Sequence, residues 1–284
     1  MPRYDLKGRV ALITGGARGI GLATACALKA RGARVALVDL DSDELHAAAA
    51  QLGPDTLAIA ADVTNRPAIE AAMARTVDHF GGGIDLLIAN AGIAPMPATA
   101  RTMDPAEFER VVEVNLLGVY RTVHAGVERV IERRGQVLLV SSVYAFLNGV
   151  ALTPYAVAKA GVEQLGRALR VELAPYGASA TVAYFGFVDT RLVQRIMDDE
   201  AVAERHDLLP AFIRRRITPE AAGEAVAQAI ERRRARVIMP RYWAVLSTLR
   251  GIVNPALDYL AAHDKRVIGM IQDSDIKTFT PSGS

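Results

Sequence analysis

A tyrosine and a lysine one helical turn apart can do proton chemistry that neither does alone. Tyr155 and Lys159 stand in the run Tyr155-Ala156-Val157-Ala158-Lys159, and an i, i+4 spacing puts both on one helix face. Free tyrosine ionises at about pH 10, so it is a poor base at neutral pH. A nearby ammonium favours the phenolate, and a charge at close range moves a pKa by about 1–3 units. Tyr155 is therefore a candidate general base. Ser142 lies 13 residues before it, where a hydroxyl could hold a substrate oxygen as charge develops there. Taken alone, the pair also describes an ordinary exposed helical Tyr and Lys.

A second set of residues suits a phosphate. Thr14-Gly15-Gly16-Ala17-Arg18-Gly19-Ile20-Gly21 follows a strand-like run and opens a helix-like one. Glycines there let the backbone approach a pyrophosphate, and the helix start offers free N–H groups. Asp39 stands 18 residues after Gly21, at the end of the next apolar run. A carboxylate so placed accepts bonds from both adenosine ribose hydroxyls and repels a 2′-phosphate, which favours NAD over NADP. Arg18 pulls the other way, since it could pair with that phosphate. Asp62 and Val63, after the third strand, fall where an adenine edge and face would be met. A bound oxidised nicotinamide would add a second positive charge near Tyr155.

These residues need a scaffold, and the hydrophobic pattern supplies one. Strand-like runs cover Val10–Thr14, Arg34–Asp39, Thr56–Ala61, Ile84–Ala89, Gln136–Ser141, Ser179–Tyr184 and Arg236–Met239. Helix-like stretches lie near Ile20–Ala30, Ser42–Gln51, Arg66–Phe80, Pro105–Glu132, Pro154–Pro175 and Pro219–Arg233. The strands are nearly continuous apolar runs, as expected when helices cover both sheet faces. The alternation predicts a single doubly wound α/β domain of the Rossmann type, with a seven-stranded parallel sheet. We read residues 1–240 as that catalytic domain, with a substrate lid near Arg191–Ile217. Residues 241–284 read as a C-terminal extension packing on the pocket or on a neighbouring subunit. Its first half is apolar, through Trp243, Val245, Leu249, Ile252 and Leu260, and its polar end is expected to fray.

Composition narrows the function. The chain has 284 residues, of which 51% are hydrophobic and 23% charged, so a disordered bulk state is excluded. A net charge of +2 is too balanced for a dedicated nucleic-acid surface. The lone Cys26 excludes a disulfide framework and a cysteine-rich zinc site. A cytoplasmic setting fits, and we expect no metal. Neither a signal peptide nor a transmembrane segment is expected. Of 33 basic residues only five are lysines, so Lys159 stands out in an arginine-rich chain.

From about Leu6 to Pro240 the chain resembles the short-chain dehydrogenase/reductase family. The glycine loop, Asp62, Asn90-Ala91-Gly92, Asn115, Ser142 and the Tyr155/Lys159 pair all fall in the family's order and spacing. The resemblance implies that Tyr155 is the proton acceptor and that Ser142 orients the substrate. Lys159 is implied to bind the nicotinamide ribose while lowering the tyrosine pKa. Asn115 is implied to support a water that links the lysine to solvent. Asn90, Ala91 and Gly92 match the family signature, except that Ala89 replaces its first asparagine. The family's Pro-Gly after the sixth strand is Phe185-Gly186 here. Val188 and Thr190 still fall where the nicotinamide carboxamide would be held.

Segments on the substrate side, Ile93–Ala98 and Val143–Leu147, carry no charge. With Tyr144, Phe185 and Phe187 they suit an uncharged, hydrophobic alcohol or ketone. The expected activity is NAD-dependent hydride transfer with a secondary alcohol or ketone, catalysed by Ser142, Tyr155, Lys159 and Asn115. Alternatives are an NADP-linked carbonyl reductase, a non-catalytic dinucleotide sensor, and an enzyme docked on a membrane surface through Trp243–Leu260. The family's habit implies a homo-oligomer, a dimer or tetramer formed through the long helices.

Overall fold

The computed structural model describes residues 3–40, 42–191, 193–194 and 215–279. Seven strands form one parallel sheet: β1 (Val10–Thr14), β2 (Arg34–Asp39), β3 (Thr56–Ala60), β4 (Leu86–Ala89), β5 (Gln136–Ser142), β6 (Ser179–Phe185) and β7 (Arg236–Met239). Their spatial order is β3-β2-β1-β4-β5-β6-β7. The chain thus steps outward to β3, then returns across β1 to β4. The point where direction reverses lies between β1 and β4, and ligands bind there beyond the carboxyl ends of the strands. Register is set by matched apolar residues, with Ile13 beside both Leu37 and Ile88.

Helices cover both faces. On one side lie α1 (Gly19–Lys29), α2 (Asp43–Leu52) and α7 (Pro219–Glu231), and on the other α3 (Arg66–Phe80), α5 (Gly118–Glu132) and α6 (Thr153–Glu172). α4 (Pro105–Val112) precedes α5. Each face encloses its own buried cluster, one around Ile13, Leu28, Leu37 and Val226, the other around Leu12, Ile69, Leu87 and Val162. Helix starts follow their sequence signals. Ser42, Asn65, Asp104 and Thr218 each accept a backbone N–H at the start of α2, α3, α4 and α7. α1 differs: Arg18 makes no side-chain cap and its first turn holds no acid.

Two expectations need correcting, and a third is not tested. The stretch Pro105–Glu132 is not one α-helix, because a π-helical turn over Glu113–Leu117 divides α4 from α5. The polar C-terminal end does not fray from its start but forms α9 (Lys265–Phe279), after α8 (Trp243–His263). The lid read near Arg191–Ile217 lies mostly outside the described residues. The extension does meet the domain. Trp243 is buried with Val143, Phe146, Tyr184 and Ile238, and Thr99 donates to Asp275 of α9 at 2.6 Å. Among the described residues, no helix is long and apolar enough to cross a membrane.

Candidate active site

A cleft of about 900 Å³ opens at the carboxyl ends of the strands. It brings together Gly15, Arg18, Gly19, Ile20, Asp39, Asp62, Val63, Asn90, Ala91, Gly92, Tyr155, Lys159, Phe185, Val188 and Thr190. Gly21, Asn115, Ser142, Tyr144 and Phe187 are not on its wall.

The glycines at its floor have no room for side chains. Gly15 has φ +65°, and a Cβ there would stand 2.8 Å from the Ala91 backbone. A Cβ on Gly21 would come within 2.0 Å of the Gly15 carbonyl oxygen. Gly21 is therefore needed behind the cleft, to let α1 sit against the loop. Asn90 fixes the other side: its amide donates to the carbonyls of Thr14 and Gly15, each at 3.0 Å. Thr14 Oγ1 accepts the backbone N–H of Asn90 at 3.1 Å. The loop, the uncapped start of α1 and β4 thus form one backbone cradle. Free N–H groups and a positive helix end suit a pyrophosphate.

Asp39 lies at the glycine-loop end of the cleft and also holds the loop. One carboxylate oxygen accepts the Ala17 N–H and the other the Leu40 N–H, each at 2.9 Å. The remaining lone pairs face the cleft. Arg18 extends into solvent and pairs with Glu44 at 3.0 Å, and Arg191 pairs with the same carboxylate. Asp62 is exposed and accepts the Thr64 N–H at 2.8 Å. Val63 is buried against the site of Gly118. These residues line a dinucleotide-sized cleft and fit such a cofactor.

At the other end, α6 and β5 assemble the polar groups. Lys159 is 3% exposed; its Nζ donates to the Val140 carbonyl at 3.0 Å and lies 5.5 Å from the Tyr155 ring centre. Burial lowers its pKa to about 8. Tyr155 hydrogen-bonds Ser142, and Tyr144 meets the Tyr155 ring edge-on at 5.9 Å. Burial pushes Tyr155 up to about 12, with the Ser142 bond acting downward. Within the protein alone, desolvation dominates the phenol, and the Lys159 ammonium donates to a carbonyl. Ser142 has one proton and two acceptors in reach, the Tyr155 oxygen and the Phe185 carbonyl at 3.3 Å.

Asn115 sits in the π turn, fully buried. Its amide clamps Ile93 at both ends, accepting its N–H and donating to its carbonyl, each at 2.8 Å. A Cβ on Gly92 would lie 3.2 Å from Asn115 Oδ1 and 3.5 Å from Lys159 Nζ, so the two polar groups flank one glycine. On the substrate side, Phe185 is 3% exposed and belongs to the core beside α1 and α7. It forms cleft floor rather than a free substrate wall. Phe187 is half-buried off the cleft wall. Sequence reasoning missed Asn254, which donates to the Phe146 carbonyl at 2.8 Å and has no local motif. The indole of Trp243, in the extension expected to pack on the pocket, lies against Gly186.

Comparison with known proteins places this geometry. The family model described as short chain dehydrogenase matches residues 9–201. The chain is 35% identical over 224 residues to the cis-4-hydroxycyclohexanecarboxylate dehydrogenase of Sinomonas cyclohexanicum, covering 77% of this chain and 88% of that protein. It is 33% identical over 200 residues to a 3-oxoacyl-(acyl-carrier-protein) reductase of Vibrio cholerae, covering 70% and 81%. Among solved structures, a 3-ketoacyl-(acyl-carrier-protein) reductase from Brucella melitensis complexed with NADH superimposes with a TM-score of 0.73 at 30% identity, covering 82% of this chain and 97% of that one.

Proposed function

This chain belongs to the short-chain dehydrogenase family, whose members are oxidoreductases that bind a nicotinamide dinucleotide, and we propose that it interconverts a hydrophobic secondary alcohol and its ketone with NAD(H). One observation carries the reading. Tyr155 and Lys159 line one end of a cleft whose other end is an aspartate, and Ser142 hydrogen-bonds Tyr155 from just behind the wall. When bound, the oxidised dinucleotide would accept hydride from the alcohol carbon. The chain's own residues handle the rest. Ser142 turns its proton from the Phe185 carbonyl to the substrate oxygen and orients it. Tyr155 takes the hydroxyl proton during oxidation and returns it during reduction. Lys159 holds the nicotinamide ribose and favours the phenolate, an effect that any positive charge brought beside the phenol reinforces. Asn115 positions the Ile93 backbone beside Lys159.

Asp39 supports NAD, because a 2′-phosphate beside it meets a carboxylate, and Glu44 adds another on the same rim. The similarity to a reductase complexed with NADH points the same way. An NADP-linked reductase is the second reading, favoured by Arg18 and Arg191 at that rim. The hydrophobic substrate is supported by the apolar Ile93 and Val188 along the wall. Homo-oligomerisation through α5 and α6 is part of this proposal; Tyr120 and Val157 stand 44% and 48% exposed there.

The test is NAD⁺ reduction across a panel of cyclic and long-chain secondary alcohols, comparing the natural chain with Tyr155→Phe. Turnover by the former and its loss in the latter are expected. Equal rates would refute the mechanism.

A further inference from the structure

Past its buried first turn, helix α8 turns its charged residues inward and an apolar stripe outward. Of its 21 residues, Arg250 and Asp258 are the charged ones apart from His263 at its end. Together with Asn254 they recur at i, i+4 and i+8, so they share one face. That face grips the domain. Arg250 makes two bonds to Glu163 of α6 at 2.8 and 2.9 Å, Asn254 donates to the Phe146 carbonyl, and Asn148 donates to Asp258 at 2.9 Å. At about 100° per residue, the opposite face carries Val245, Leu249, Ile252, Ala256 and Tyr259. Val245 is 64% exposed, Ile252 80% and Tyr259 65%. An amphipathic surface helix normally does the reverse, with its apolar stripe inward.

We propose that this face is a docking surface for a second copy of the chain, packed antiparallel across a two-fold axis that passes beside Ile252. Three features select that occupant. The apolar positions step by 4, 3, 4 and 3 residues, the spacing of a narrow seam that matches another helix. The seam is self-complementary: a two-fold at Ile252 sets the two Ile252 side chains together and Val245 beside the second copy's Tyr259. It carries no charge between Val245 and Tyr259, so two copies meet without repulsion. A helix that binds a bilayer surface would need lysines and arginines on its polar side. α8 has no lysine, and its single arginine is held by Glu163. Arg250 ties α8 to α6, the helix of Tyr155 and Lys159, so this contact would join two catalytic helices through α8. It is separate from any association through α5 and α6, and it does not depend on the proposed reaction.

The test is sedimentation velocity of the full chain and of Ile252→Glu, with circular dichroism and NADH binding to confirm that the variant keeps its fold. The expected result is a particle of half the natural mass, whether the natural assembly is a dimer or a tetramer. In a Cys26→Ser background, Ile252→Cys should also cross-link to a covalent dimer under copper-phenanthroline oxidation in air. Leu40→Cys, 60% exposed at the far rim, should not. An unchanged mass in Ile252→Glu, or no cross-link through Cys at position 252, overturns the proposal. So does flotation of the natural chain with phosphatidylcholine–phosphatidylglycerol vesicles that Ile252→Glu abolishes, which would assign the face to a bilayer.

Discussion

Replacing Lys159 by methionine should stabilise the fold while ending activity. Lys159 is 3% exposed, and burial lowers its pKa from 10.5 to about 8. The folded state therefore binds its proton less tightly than the unfolded state does. At pH 7 both states are protonated, and the fold carries a penalty of about 3 kcal/mol, from a shift of about 2.5 units at 1.36 kcal/mol each. Methionine removes that penalty. It also removes the bond to the Val140 carbonyl, at about 1 kcal/mol. The net gain is about 2 kcal/mol. Unfolding entropy of about 2.1 cal/mol/K per residue makes that roughly 3 °C in Tm for a chain of this length. The sign of the pH dependence follows. Between pH 8 and 10.5 the unfolded lysine keeps its proton and the folded one loses it, so natural stability rises with pH across that window. By pH 9.5 the penalty falls to about 1.4 kcal/mol, and the Tm advantage of Lys159→Met should shrink to under about 1 °C. Differential scanning fluorimetry of both proteins at pH 7 and 9.5 measures the gap. The carbonyl bond weakens once the folded amine is neutral, which opposes the trend, so it cannot mimic it. A gap that stays constant, or widens with pH, refutes the argument.

Other outcomes follow from the same geometry. Tyr155→Phe should reduce turnover by about 10²–10⁴-fold, read as NAD⁺ reduction rate, with NADH binding intact by fluorescence titration. Gly21→Ala should abolish dinucleotide binding in that titration, because its Cβ would stand 2.0 Å from the Gly15 carbonyl oxygen. Asp39→Ala should raise the NADP/NAD ratio of kcat/KM, and an unchanged ratio would remove Asp39 from cofactor choice. Arg250→Met should cost about 1–3 kcal/mol in urea unfolding by stranding Glu163, which is 7% exposed. Glu163→Met combined with Arg250→Met should cost less than the single change.

The sheet and the cleft were legible because burial there leaves a one-dimensional trace. Runs such as Leu86-Leu87-Ile88-Ala89 are apolar throughout, since both faces are covered. The glycine loop, Asp39 and the Tyr155/Lys159 spacing are local in sequence, so they were readable too. What was not legible depends on distant partners. The Glu163–Arg250 pair spans 87 positions. Asp39 gave no sign that it also accepts the Ala17 N–H. α8 hid behind Pro255, an interior proline that argues against a continuous helix. The π turn hid inside a strongly helical stretch, because one widened turn leaves the apolar period nearly unchanged. The upward push of burial on Tyr155 was not legible either, because sequence shows which charges are near but not how much water is excluded.

Burial disfavours the charged form of both Lys159 and Tyr155. It strains the Lys159 ammonium and keeps the Tyr155 phenol protonated, pushed up to about 12. A helix bearing a buried ammonium needs anchors elsewhere, and α6 has them on both sides. Ser141 donates to the Lys159 carbonyl at 2.8 Å from β5, and Arg250 grips Glu163 one turn further along. The lysine side chain is spent on a backbone carbonyl, not on the phenol, within the protein itself. The same Nζ lies on the cleft wall, beside the position of Gly92. A ribose hydroxyl reaching that wall would meet an ammonium already desolvated and fixed in direction, so little reorganisation remains for the chemical step. Arginine is a poor replacement, since its planar fork is not the compact ammonium that here donates to the Val140 carbonyl. An Lys159→Arg variant should therefore be inactive and less stable than Lys159→Met, and a variant that kept either property would show that charge alone is enough.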